Sequence, residues 1–536
     1  MKHSFINLLN QPDSFLFQYD DSCVRFEEPD SYEEKVSKID YTVENNAGKI
    51  TLYPSERPIK RVKLRWRGDL SDGLMVLGDA YARGIQDINW MGITPNHIMP
   101  WYFHLDDGEK LNCFGVKTGA AGMCSFQCDP FGITLWVDVR NGGCGVRNKD
   151  PFVIAEVVCR EGKIGEIPFD SAHEFCKQMC DNPVLPKEPI FGVNNWYWAY
   201  GNISHESVMT ETDYLMEMCR DAKAKPYMII DDGWQINRYS AKRQGYYNGG
   251  PWDRTNANFK SMAETSDAIH QKGAKSGIWF RPLQTFMQVE EPLEAPRRNP
   301  HSPTGINLDP SHPDVLEMVS KDTAMIRSWG YDLIKHDFTS IDTLGNSPYN
   351  EDGDWHFYDR SLTNMQILKR LYQTIQNAAG DAVVIGCNTI NHLVAGIHAS
   401  QRSGNDTSGR NFEITRLACN CMMRFPQNNA FFNVDPDCAA FTEKVDAGLN
   451  LDFLENCAIT GAVTLASVTP GILKDSEMNR IRGIYEVASK GGLGAKPTDW
   501  LGHNVMSRFE TPDGKKFDFD WYRGYDGVRT FYTWND

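Results

Sequence analysis

A chain of 536 residues is too long for one hydrophobic core, so two or three domains are expected. Hydrophobic residues at 41% and charged residues at 24% are ordinary for a globular protein. The formal net charge of −16 argues against a nucleic-acid or anionic-membrane partner, each of which needs a basic face. The opening residues, MKHSFINLLNQPDSF, lack the apolar run of a signal peptide, and no stretch of about 18 apolar residues appears. The 14 cysteines form no CxxC pair and no zinc-like cluster, and several lie in apolar runs. Free thiols in a cytoplasmic protein are the expectation, with the oligomeric state open and a homo-oligomer allowed.

Residues 1–185 read as all-β. KITLYP (49–54), RVKLRWRG (61–68), ITLWVDVR (133–140) and FVIAEVVCR (152–160) alternate apolar and polar residues between turn signals, which suits an antiparallel sandwich. DNPVLPKEPIFG (181–192), with three prolines, reads as a linker. From about 190 the pattern changes to apolar runs alternating with helical stretches, the mark of βα units on a parallel sheet. The runs are FGVNNWYW (191–198), YMIIDD (227–232), KSGIWF (275–280), YDLIKHDF (331–338), AVVIGCN (382–388), AGIHAS (395–400), AFFNVD (430–435) and AVTLAS (462–467). Helices are expected near 204–223, 258–272, 313–329, 361–378, 411–425 and 442–459, with Pro313 and Gly380 marking boundaries. TINHLV leaves little room for a helix between the fifth and sixth runs. Eight units predict a central TIM (β/α)8 barrel over 190–485, and an open doubly wound sheet is the alternative. Short β-like pieces over 490–536 predict a small C-terminal β-domain, abbreviated at its end.

A barrel of this kind carries its active site at the C-terminal ends of its strands. The expected ends hold Asn194, Asn195 and Trp196; Asp231, Asp232 and Gly233; Trp279 and Arg281; Lys335 and Asp337; Cys387 and Asn388; Arg402 and Asp406; and Asp435 and Asp437. Taken singly, each has a structural explanation: a solvated turn at Asp231-Asp232-Gly233, an internal ion pair at Lys335 and Asp337, a loop salt bridge at Arg402 and Asp406. So many carboxylates on one rim repel unless they bind something, which leaves metal binding and glycoside hydrolysis as readings. His residues in ligand-like pairs are missing from the strand ends, which counts against a metal. No metal or organic cofactor is expected.

IIDDGWQ (229–235), GIWFRP (277–282), INLDPSHPDV (306–315), YDLIKHDF (331–338) and RSGNDTS (402–408) resemble, in order and spacing, the successive blocks of the α-galactosidase clan. The likeness is strongest to glycoside hydrolase family 36, with family 27 more distant, and covers about 190–475. It implies a β-sandwich, a barrel and a C-terminal β-domain, and a retaining hydrolase of terminal α-galactosides with an oligosaccharide or glycoside as its partner. It implies Asp337 as nucleophile and Asp406 as general acid/base. Asp231 and Asp232 match carboxylates holding galactose hydroxyls, Lys335 and Arg402 match further hydroxyl ligands, and Trp196 matches an aromatic wall. Asp437, in VDPDC, falls at the edge of the site, and Trp279, Arg281 and Asn388 are further substrate-binding candidates. Lys335, two residues from Asp337 on one strand face, is expected to keep that carboxyl ionised. Asp406 is expected to need burial or carboxylate neighbours to hold its proton. His336 and the CNTINH segment depart from the family blocks, which leaves galactose, N-acetylgalactosamine and arabinopyranose open, and transfer as in raffinose synthases as well as hydrolysis. A carbohydrate-binding protein without catalysis and a metal-dependent hydrolase are the readings from other classes.

Overall fold

The structure, a computed structural model, describes residues 4–20, 22–26, 36–70, 73–83, 88–236, 249–296, 305–345, 352–502 and 505–523. At its centre lies a nine-stranded parallel sheet. Its strands are β1 (Phe191–Asn194), β2 (Tyr227–Ile230), β3 (Lys275–Phe280), β4 (Leu333–His336), β5 (Val383–Gly386), β6 (Ser400–Arg402), β7 (Asn433–Asp435), β8 (Cys438–Phe441) and β9 (Thr464–Val468). They run in the order β7-β6-β5-β4-β3-β2-β1-β9-β8. Such a sheet is covered on both faces, so its strands are near-continuous apolar runs rather than alternating ones; β1 and β2 are buried at every position. Helices His205–Met218, Met262–Gln271, Pro313–Ser328, Asn364–Ala379 and Ala447–Thr460 lie between strands, and Asp475–Ala488 follows the last one.

The two edge strands of this sheet are consecutive in sequence. β7 pairs with β6 and β8 pairs with β9, so the single segment Asn433–Phe441 joins both edges and the sheet curls on itself. The junction is bridged where the Val463 amide donates to the Val434 carbonyl at 2.9 Å. The segment breaks at Pro436, which has no N–H to donate, and at Asp437, whose φ of 92° lies in the left-handed region. The seventh predicted run therefore reaches only the first of two short strands. The sixth run is displaced as well: Asn391–Val394 forms one helical turn and β6 starts only at Ser400, the last residue of AGIHAS.

Residues before 181 form two antiparallel sheets. Six strands order as Cys23–Phe26, Ser14–Tyr19, Ile59–Arg67, Gly132–Asp138, Met123–Asp129 and Met99–Pro100. Seven order as Lys38–Glu44, Ala47–Tyr53, Phe152–Arg160, Leu111–Val116, Tyr102–Asp106, Met75–Gly78 and Met91–Gly92. The sheets meet through Phe103 against Phe126, with ring centroids 5.4 Å apart, and Tyr41 edge-on to Trp66 at 6.2 Å. The all-β expectation for this region needs one correction. Pro168–Met179 is a helix, with proline in its first turn and Phe169, Ala172, Phe175, Cys176 and Met179 buried at helical spacing. Residues 181–190 carry no regular structure. A three-stranded sheet of Lys496–Pro497, Arg508–Glu510 and Lys516–Asp518 follows the last helix. The expected VRTFYTWND strand lies outside the described residues. All thirteen cysteines whose side chains are described are free thiols. Among the described residues no helix is long and apolar enough to cross a membrane.

Three buried histidines give the fold a defined response to acid. Burial lowers the pKa of His104 to about 3 and of His336 and His392 to about 4. A histidine titrates near 6.5 when unfolded, so the unfolded chain takes up protons that the folded chain refuses. This contribution to stability is complete above pH 6.5 and is lost as pH falls toward 4. Urea denaturation at pH 7.5 and pH 5 is expected to show a loss, and His104→Phe to shrink that loss by about 1 kcal/mol or more. An unchanged pH dependence in the variant would count against the assignment.

Candidate active site

The C-terminal ends of β1 to β7 converge on one set of polar side chains. Asn194, at the end of β1, donates through Nδ2 to Asp231 Oδ2 at 2.7 Å, and Asn195 Oδ1 accepts from the Asp231 amide at 2.9 Å. Trp196 opens a four-residue helical turn, and its ring lies edge-on to Tyr200. After β2 the chain turns at Gly233, at φ 117°, where a β-carbon would collide with the backbone of Gly201. That turn lets two adjacent carboxylates serve one site. The Asp232 amide donates to Asp231 Oδ1 at 3.0 Å, and Gln235 Nε2 donates to Asp232 Oδ1 at 2.6 Å. Burial pushes the Asp232 carboxyl up to about 7, against the Gln235 hydrogen bond and with help from Asp231.

Asp337, one residue past β4, is held by three donors. Trp279 Nε1 donates to its Oδ2 at 3.1 Å, Asn388 Nδ2 to its Oδ1 at 2.7 Å, and the Phe338 amide to its Oδ1 at 2.6 Å. Phe338 and Asn388 both sit at positive φ, 64° and 49°, backbone strain of the kind that gathers where side chains must be aimed. Burial acts to raise the Asp337 pKa, but Arg83, then Lys335, and the Trp279 and Asn388 hydrogen bonds hold it below the ordinary carboxylate value. Lys335 contributes less directly than its spacing suggests: its Nζ is bonded to Asp231 Oδ2 at 2.8 Å. His336 points the other way, as strand alternation requires. Its Nε2 meets Nε2 of His398 at 3.0 Å, and its ring packs near Tyr372 of the helix Asn364–Ala379. The residue that departs from the family block thus faces the helical layer.

Arg402, at the end of β6, bonds through Nη2 to Asp437 Oδ2 at 2.7 Å and to Asp406 Oδ1 at 3.0 Å. Tyr197 donates its hydroxyl hydrogen bond to Asp437, and the Thr407 amide donates to the same oxygen at 2.8 Å. Burial drives the Asp437 pKa up, and Arg402 opposes it. The Asp406 side chain is 52% exposed. Its second cation is Arg83, which crosses from the N-terminal sheets to bond Asp406 Oδ1. Burial would raise the Asp406 pKa, but Arg83 and Arg402 outweigh it and hold the carboxyl well below its ordinary value.

The structure brings together Asp231, Asp232, Trp279, Lys335, Asp337, Asn388, Arg402, Asp406 and Asp437; Trp196 adjoins them through its amide, which donates to Asn194 Oδ1, while its ring lies against Tyr200. Two expectations need correction. Arg281 is a buried strut: its side chain is wholly inaccessible, its Nε donates to Asp342 Oδ2 at 2.8 Å, and its guanidinium lies 4.2 Å from the Phe338 ring. Breaking such a buried pair costs about 3–5 kcal/mol, and its place under Phe338 supports the backbone that aims Asp337. Burial acts on Asp406 as expected of an acid, but the flanking cations Arg83 and Arg402 outweigh it and lower its pKa instead of raising it. Sequence reasoning missed Arg83 and Tyr197. Tyr197 is one residue from a candidate, whereas Arg83 lies 323 residues from its partner and carries no local signal. Among the described residues, no group of three or more His, Cys, Asp or Glu side chains is arranged to hold a metal ion.

The fold is similar to that of solved α-galactosidases, among them members of glycoside hydrolase family 36. In particular, the chain is similar to TtGalA, an α-galactosidase from Thermus thermophilus solved in complex with stachyose, with a TM-score of 0.58, 14% identity, and 84% of this chain and 96% of that one covered. It is similar also to the family 36 α-galactosidase AgaA from Geobacillus stearothermophilus, solved as a variant in complex with raffinose, with a TM-score of 0.61, 14% identity, and 94% of this chain and 80% of that one covered. An α-galactosidase from Lactobacillus brevis matches with a TM-score of 0.56 and 12% identity over 89% of this chain and 73% of its own. No family model matches the sequence, and no curated protein matches it.

Proposed function

We propose that the protein is a retaining α-galactosidase acting on terminal α-galactosides of oligosaccharides, with residues 190–485 as a catalytic (β/α)8 barrel between a β-sandwich (1–185) and a small β-domain (490–536). The observation that carries this reading is the pairing of an ionised, rigidly held Asp337 with the more exposed Asp406 on one rim. Asp337 attacks the anomeric carbon while Asp406 protonates the departing oxygen; Asp406 then deprotonates the water that hydrolyses the glycosyl-enzyme, giving net retention. Asp231, Asp232 and Lys335 bind sugar hydroxyls, and Trp196 walls the pocket. Stachyose and raffinose bound in the similar structures support an oligosaccharide substrate.

Sugar choice is the test of this reading. Tandem acceptors at Asp231 and Asp232 suit the axial O4 and primary O6 of galactose, and a site built on hydrogen bonds rejects analogues that leave its groups unpaired. A panel of nitrophenyl glycosides is expected to show α-galactoside over α-glucoside by at least ~10²-fold in kcat/KM, about 3 kcal/mol. Asp232→Asn is expected to narrow the gap. Equal rates on both sugars in the unmodified protein would refute the galactose reading.

A further inference from the structure

The rim carries a cation, Arg83, whose bonded partner is the proposed acid itself. Lys335 is matched by Asp231, and Arg402 by Asp437, both at bonding distance and both buried. Arg83 has Asp406 as its ion-pair partner among the described residues. The proposed mechanism requires Asp406 to be a neutral acid when substrate is bound, and that takes from Arg83 the one carboxylate it is bonded to among the described residues, leaving the nucleophile Asp337 to act on it at longer range. A guanidinium held in a mostly buried site, 16% exposed, favours an anion in that place.

The delivery of Arg83 is built into the fold. The segment that carries it is clamped by Arg424, which donates through Nη2 to the Ala82 carbonyl at 3.1 Å and through Nη1 to the Ser403 carbonyl at 2.8 Å. One guanidinium thus ties the backbone before Arg83 to the loop that bears Asp406. Its third nitrogen, Nε, pairs with the buried Asp79 Oδ1 at 2.7 Å, and Gln427 Nε2 donates to Asp79 Oδ2 at 2.8 Å. Breaking a buried pair of this kind is strongly destabilising, so the backbone just before Arg83 is firmly held. Arg83 meets the site at Asp406 Oδ1, the oxygen that Arg402 also bonds, and its charge also lowers the Asp337 pKa.

We propose, building on the glycosidase reading, that Arg83 is a specificity-determining residue that binds an anionic group of the substrate lying next to the scissile bond, on the aglycone or on C2 of the sugar, and that this contact releases Asp406 to take its proton. The preferred substrates are then α-glycosides carrying a carboxylate or sulfate there. Their anion exchanges with Asp406 as the partner of Arg83, so the total charge of the rim is unchanged as Asp406 becomes neutral. A neutral galactoside offers no such exchange and must protonate Asp406 against two cations.

Equilibrium binding separates this from the activity itself. Calorimetry on the full-length Asp337→Asn protein compares 2-carboxyphenyl α-galactoside with its neutral 2-carboxamidophenyl isostere, and methyl α-galactoside 2-sulfate with methyl α-galactoside. At least one anionic ligand is expected to bind roughly tenfold or more tightly than its neutral counterpart, since a hydrogen bond to a charged group contributes that much. The first pair responding alone assigns the anion to the aglycone, the second alone to C2. Adding Arg83→Met is expected to erase the preference, and Arg83→Lys to restore part of it. Equal binding within both pairs, or a preference that survives Arg83→Met, overturns the proposal. Failure of the α-galactosidase reading registers separately, as absent turnover of p-nitrophenyl α-galactoside by the unmodified enzyme.

Discussion

Replacing Asp337 by Ala is expected to lower kcat on p-nitrophenyl α-galactoside by roughly 10⁴-fold or more, about 5.5 kcal/mol, because a nucleophile has no substitute in a two-step displacement. The structure sharpens what should remain. Asp337 Oδ1 accepts from Asn388 and from the Phe338 amide, and Oδ2 from Trp279. Removing the carboxylate leaves these donors facing a cavity, together with Arg83 and Lys335, whose charges act there; on the proposed mechanism that cavity lies beside the anomeric carbon. A small anion suits that cavity. Azide is therefore expected to restore part of the rate and to yield the β-galactosyl azide, the inverted product, since it attacks from the face Asp337 occupied. Glucoside or galactoside turnover at near-normal rates in the variant would remove Asp337 from the reaction.

The parallel sheet was legible in the sequence because its strands are buried on both faces. Such strands cannot alternate, so FGVN, YMII and KSGIWF stand out as apolar blocks between amphipathic stretches. Legibility failed where the chain breaks that rule. β6 is three residues long and polar throughout, Ser-Gln-Arg, so the apolar run just before it drew the assignment away. The helix Pro168–Met179 has the right spacing but sits among strands, and its neighbours set the expectation. In the site, residues on or adjoining regular strands were readable, since alternation fixes their faces: Lys335 and Asp337 inward, His336 outward. Arg281 follows β3 and precedes a proline, so alternation no longer dictates its direction, and it turns to Asp342 rather than to the pocket. The largest gap is electrostatic. The pKa of Asp406 is lowered by Arg83, and a contact that crosses from the N-terminal sheets to the ends of the parallel strands has no trace in either local pattern.

Removing Asp406 is expected to divide substrates by leaving group. Asp406→Ala should cost roughly 10²–10⁴-fold on methyl α-galactoside, whose alkoxide must be protonated as it departs, while the first step with 2,4-dinitrophenyl α-galactoside, whose phenolate leaves unaided, should change far less. Azide should accelerate the variant's turnover with retention, because it replaces the water that Asp406 would have activated. The cations around Asp406 add a pH signature. Against the effect of burial, Arg83 and Arg402 hold its pKa down, so the protonated acid is scarce at neutral pH. For the methyl glycoside, kcat/KM is then expected to fall as pH rises through that lowered pKa, placing the optimum on the acid side. The dinitrophenyl glycoside, which does not need the proton, should lack this basic limb. Arg83→Met removes the nearer cation, raises the Asp406 pKa and should carry the limb to higher pH without creating one for the dinitrophenyl substrate. A basic limb shared by both substrates, or one that ignores Arg83→Met, would mean that another group supplies the proton.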